Sequence, residues 1–65
     1  MNIMFNGQSV KTTCISLKDF LQSKNIDIQS VATAVNSNFV PRSLYATTEL
    51  TEGVSIEVVS PMQGG

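Results

Sequence analysis

The amino-acid sequence predicts an α+β domain, a sheet with one helix packed across one face. Three observations carry this expectation. Apolar and polar residues alternate in residues 1–6, except at Met4, and again in 54–59, except at Val59, the two-residue period of strands with one buried face. Between them, Leu17, Phe20 and Leu21 recur at helical spacing and form one apolar stripe. Asn6-Gly7 and Asn36-Ser37-Asn38 supply residues that tolerate the backbone angles of tight turns.

Taken in order, residues 1–6 read as a first strand with Met1, Ile3 and Phe5 on one face. Asn6-Gly7 turns the chain into a returning strand over 8–15, where Val10, Thr12, Thr13 and Ile15 are β-branched. Ser16 is placed as a helix N-cap with Asp19 three positions on. The stripe extends to the aliphatic stem of Lys24, Asn25 closes the helix, and Ile26 and Ile28 fold back beneath its end. A helix this short needs a sheet to pack on. Residues 31–35 form the next strand, Asn36-Ser37-Asn38 the turn, and Phe39-Val40 a brief strand ended by Pro41. One helical turn is expected over 43–46, capped by Ser43, then a connection through Gly53 to the last strand at 54–59.

Composition narrows the function. The chain has 65 residues, so it is one small domain with an economical core, burying only about 60% of its unfolded surface. A hydrophobic fraction of 42% fits a folded domain rather than a disordered segment. Four Lys and Arg against five Asp and Glu leave no basic face for a phosphate backbone, which argues against nucleic-acid partners. With no His and one Cys, a structural zinc site lacks its usual ligands and no intramolecular disulfide can form. The apolar runs are far too short for a membrane span, and the start reads directly into a strand pattern, leaving no room for a signal peptide. A reducing, soluble compartment is the expectation.

The stretch with chemical promise is Ser60-Pro61-Met62-Gln63-Gly64-Gly65. The division expected is a globular body over 1–59 and a flexible tail over 60–65. Two residues without Cβ make a thin lead able to follow a narrow cleft, which puts the reactive group at the α-carboxylate of Gly65, with Gly64, Gln63 and Met62 giving access. No nucleophile–base pair stands out elsewhere, and no phosphate-cradling loop precedes the helix, so a self-contained enzyme is the weakest reading.

The order hairpin, helix, strands with a terminal Gly-Gly resembles the ubiquitin-like β-grasp fold, and within it the ThiS family of sulfur carriers of thiazole biosynthesis. The residues that carry the resemblance are Ile3-Met4-Phe5-Asn6, Val35-Asn36, Phe39-Val40-Pro41-Arg42, Glu52-Gly53 and Gly64-Gly65. The chain departs from the family pattern at Val54, often acidic there, and at Tyr45, where a Trp is common. The resemblance implies a mixed sheet of four to five strands and a protein that is a co-substrate, binding no cofactor itself. A ThiF-type adenylyltransferase would join the carboxylate of Gly65 to AMP from ATP, and a persulfide donor would convert it to a thiocarboxylate. A ThiG-type thiazole synthase would then take the sulfur, in the cytoplasm or the plastid stroma. Rival readings are a carrier subunit for molybdopterin synthesis or other sulfur transfer, a ubiquitin-like protein modifier, and a plain binding module.

In that account the body serves as a partner surface. Alternation sets Met4 and Val59 opposite the core positions Ile3, Phe5, Ile56 and Val58. With Phe39 and Met62 they are expected to form an apolar patch on the open face, and Arg42 to meet a carboxylate of a partner. The alternative is scattered surface apolar residues, which need no function. Cys14 reads as a small buried apolar residue in preference to a sulfur relay.

Overall fold

The computed structural model describes residues 1–60. Asn6 at φ 49 and Gly7 at φ 83 take the left-handed angles of a two-residue hairpin turn. The turn folds β1 (Asn2–Phe5) back on β2 (Gln8–Lys11), with Phe5 opposite Gln8 and Asn2 opposite Lys11. β2 stops short of the expected Ile15. Thr12 and Met1 exchange the last bonds of this pair, at 2.9 and 2.8 Å, and residues 13–15 have no β1 partner left to meet.

Helix α1 (Leu17–Ser23) starts where expected. Ser16 is extended, and its hydroxyl accepts the Asp19 N–H at 3.1 Å. The neighbouring donors are also matched, Leu17 N–H by Thr48 O at 2.8 Å and Lys18 N–H by Tyr45 O at 3.1 Å. At the far end Asn25 adopts φ 60. Its N–H reaches Gln22 O and that of Ile26 reaches Leu21 O, both at 3.0 Å, the double bond of a Schellman ending. Ile26 and Ile28 then pack beneath the helix as the sequence predicts.

A second two-residue turn, Asn36 at φ 50 and Ser37 at φ 71, joins β3 (Ala32–Val35) to β4 (Asn38–Val40), so Asn38 belongs to the strand rather than the turn. The helical turn after it lies one residue earlier than expected, a 3-10 turn over Arg42–Leu44. Ser43 does not cap it. Pro41 is the N-cap instead, at φ −63 and ψ 149, with no side-chain bond because its ring carries no acceptor, while its carbonyl accepts the Leu44 N–H at 2.9 Å. Gly53 at φ 80 turns the chain into β5 (Ser55–Val59).

The five strands form one mixed sheet in the order β2-β1-β5-β3-β4. β5 runs parallel to β1 on one side and antiparallel to β3 on the other, so the last strand lies at the centre. This is the expected α+β arrangement at the upper end of its strand count. Helix α1 covers one face, where Leu17, Phe20 and Leu21 are buried with Ile3, Tyr45 and Ile56. Phe5 meets Phe20 edge to face at 5.2 Å, and the Lys24 ammonium sits 5.7 Å from the Phe20 ring centre. Met1 is exposed and does not join Ile3 and Phe5 in the core. Among the described residues no helix is long and apolar enough to cross a membrane.

Candidate functional site

β5 is the strand from which any reactive tail must start, and its neighbours hold it along its length. On the β1 side, Met4 N–H donates to Val54 O at 2.8 Å and Asn6 N–H to Ile56 O at 2.9 Å. On the β3 side the register runs from Val35 opposite Ile56 to Ala32 opposite Val59. Two asparagine side chains extend these ladders. Asn36 Oδ1 accepts from Ser55 N–H at 3.0 Å, and Asn6 Oδ1 accepts from Val58 N–H at 2.8 Å. Both residues occupy the first position of a hairpin turn with left-handed φ. The sequence pattern marks both as turn residues and does not reveal these contacts. The available signal was asparagine, whose side-chain amide can replace a main-chain group where the chain turns away.

At its other end β5 is anchored through the start of β1. The Glu52 carboxylate accepts the Asn2 N–H through both oxygens at 3.1 Å, while Gly53 N–H donates to Asn2 O at 2.7 Å. The Glu52-Gly53 pair thus joins the first and last strands.

The registers define the face opposite the helix. Ala34 stands between Phe39 on β4 and Glu57 on β5, and Ala32 lies beside Val59. Phe39 is 70% exposed and Val59 63% exposed, so two projecting apolar residues flank a floor of two alanines. Arg42, also exposed, follows β4 at the same end of the sheet. Met4 is on this face but sits beside Ser55 and Ser9. Four residues of β5 separate its level from that of Val59, about 13 Å along the strand, with Glu57 between. The structure therefore groups Phe39 and Val59, places Arg42 near them, and sets Met4 apart. Gly65, Gly64, Gln63 and Met62 lie outside the described residues.

The remaining candidates have structural surroundings. Cys14 is half-buried, packs against the core and lines a shallow open hollow with Met1, Lys11, Thr12, Thr13 and Ser23. Among the described residues no group of three or more His, Cys, Asp or Glu is placed to hold a metal ion.

The ThiS family model matches residues 3–65. The chain belongs to the ThiS family. Its structure is similar to the crystal structure of the thiamine biosynthesis protein ThiS from Geobacter metallireducens, with a TM-score of 0.87, 20% identity and 100% of both chains covered. The solution structure of a thiamine biosynthesis protein from the same organism aligns with a TM-score of 0.80 and 22% identity, covering 100% of this chain and 88% of that one. At these identities the likeness shows the shared β-grasp fold. No curated protein matches the chain. Both departures from the ThiS pattern are core residues here. Val54 is 4% exposed, a position hostile to a carboxylate. Tyr45 is 2% exposed and its hydroxyl donates to the buried Thr33 Oγ1 at 2.9 Å, so neither departure alters the outer face.

Proposed function

We propose that this chain is a sulfur carrier that delivers sulfur as a thiocarboxylate on Gly65 for thiazole formation in thiamine biosynthesis. The observation that carries the reading is the family match itself, which runs from the first strand through Gly64-Gly65. A free carboxylate resists nucleophilic attack, because its charge is delocalised and oxide is a poor leaving group. Activation solves this. A carboxylate oxygen of Gly65 attacks the α-phosphorus of ATP on a ThiF-type adenylyltransferase and pyrophosphate leaves. A persulfide sulfur then attacks the acyl carbon and AMP leaves. A thiol reduces the resulting acyl disulfide across its S–S bond, leaving the thiocarboxylate for a ThiG-type thiazole synthase. The carrier contributes the reacting carboxylate and a surface, and ATP binds the partner.

The docking face in this reading is Phe39 and Val59 over Ala32 and Ala34, with Arg42 positioned to meet a partner carboxylate and Met4 a separate, weaker contact. Two exposed apolar anchors beside a flat floor suit a partner surface better than solvent. The deciding experiment incubates the full chain with ATP, an active ThiF-type enzyme and a persulfide donor. Thiocarboxylate-selective alkylation is then read by intact mass, since sulfur-for-oxygen exchange is almost isobaric with methionine oxidation. An alkylated species that requires ATP and disappears when Gly65 is deleted supports the reading. Its absence with a proven activator sinks it.

A further inference from the structure

In the parallel ladder between β1 and β5, donors come alternately from each strand. Met4 and Asn6 donate to Val54 and Ile56, so the next rung in a regular ladder would run from Val58 N–H to the Asn6 main-chain carbonyl. That rung cannot form normally, because at φ 49 Asn6 already turns the chain into the hairpin. Its side-chain oxygen takes over and accepts the Val58 N–H at 2.8 Å across 52 residues of sequence. Beside it, Val59 is paired with Ala32. The strand is consequently held on the β1 side as far as Val58 and on the β3 side as far as Val59.

We infer that Asn6 is a positioning residue for the carrier reaction, fixing through Val58 the point and direction in which the chain leaves β5 for Gly65. This rests on the carrier reading above. The docking face and the departure point are on different residues, and a fixed relation between them narrows the positions from which a docked body presents its carboxylate to the activating site. Asn6 itself is outside the Phe39–Val59 group, so its loss leaves docking unchanged and lowers turnover. Misplacing a reacting group itself by about 1 Å costs as much as 100-fold in rate, and residues 59–64 between Val58 and Gly65 dilute that effect. Release of a single rung is expected to lower kcat for adenylation by about threefold or more.

The test compares the wild-type chain with Asn6→Gly and Asn6→Asp. Glycine accepts the left-handed angle but removes the acceptor, whereas aspartate keeps both. Circular dichroism first establishes that all three are folded at the assay temperature. Amide hydrogen exchange at Val58 and steady-state pyrophosphate release with a ThiF-type enzyme are then measured. The expected result is lost Val58 protection and a lower kcat at unchanged KM for Asn6→Gly, with both restored in Asn6→Asp. The inference is overturned if Val58 stays protected in Asn6→Gly, if kcat falls by less than about threefold, if the change is in KM, or if aspartate restores protection without restoring kcat. A wild-type chain that is never adenylated is a different failure, since it overturns the carrier reading and this inference together.

Discussion

The Tyr45–Thr33 hydrogen bond allows a sharp test of how the core is held. Tyr45 is 2% exposed and Thr33 1% exposed, and the phenolic O–H donates to Thr33 Oγ1 at 2.9 Å. Tyr45→Phe strands the threonine oxygen and Thr33→Val strands the tyrosine hydroxyl. Each single change should cost about 1–3 kcal/mol, the desolvation penalty of one buried group left unpaired. Changing both replaces a polar pair by apolar groups of nearly the same shape, so the double variant should lie within about 1 kcal/mol of wild type. At about 0.05–0.15 kcal/mol per residue, a chain of 65 residues has about 3–10 kcal/mol in total, so either single change is a large fraction of it. Urea unfolding at constant slope gives the free energies, and a melting curve should move about 4–8 °C for each kcal/mol. A double variant that costs the sum of the two singles would refute the pairing argument. Ala32 and Ala34 point to the opposite face from Thr33, so adenylation by a ThiF-type enzyme should be unaltered wherever these variants are folded.

Three further outcomes follow from the same geometry. Ser16→Ala removes the acceptor for Asp19 N–H and should cost about 1 kcal/mol by urea unfolding, with no effect on adenylation. Leu21→Ala deletes a fully buried side chain of α1 and should cost about 2–5 kcal/mol, read as a lower midpoint at constant slope in urea unfolding. Val59→Lys should raise the KM for adenylation about tenfold, whereas Met4→Glu, set apart by Ser55 and Glu57, should raise it less than about threefold. Both exposed-face variants should keep wild-type stability within about 0.5 kcal/mol, which urea unfolding checks. Equal KM effects would show that the outer face works as one patch.

Where the sequence was legible, local chemistry and the tertiary structure agree. Ser16, the Leu17-Phe20-Leu21 stripe and Asn25 mark a seven-residue helix from local signals, although Leu17 and Lys18 N–H are matched by the distant Thr48 and Tyr45 carbonyls. The alternation in Ile3-Met4-Phe5 and Ile56-Glu57-Val58-Val59 assigned the right faces, because burial of one sheet face fixes the register. Other features depend on residues far away in sequence. Nothing local to residues 12–15 says that β1 has run out of partners, so β-branched composition overextended β2. The helical turn starts one residue earlier than the capping preference of Ser43 suggests, with the extended Pro41 as its N-cap. The separation of Met4 from Val59 required the parallel register, which no single strand encodes. The contacts of Asn6 with Val58 and of Asn36 with Ser55 combine turn chemistry with strand pairing, and neither pattern alone reveals them.

The position of β5 connects this architecture to the proposed chemistry. A small domain opens first at its edges and termini, where backbone bonds are few and exposed. A reactive segment extending from an edge strand would inherit that motion. Here β2 and β4 are the edges, and the strand leading to Ser60 lies between β1 and β3. Its Ile56 is fully buried beneath α1, and its two turn-facing amides are taken by Asn6 and Asn36. The exposed face that carries Phe39 and Val59 belongs to the same rigid sheet, so the body can hold a partner and a departure point in one fixed relation. A plain binding module with an incidental terminal Gly-Gly would need the face alone. The combination of a docking face with a departure strand secured at the centre of the sheet favours the carrier reading over that one.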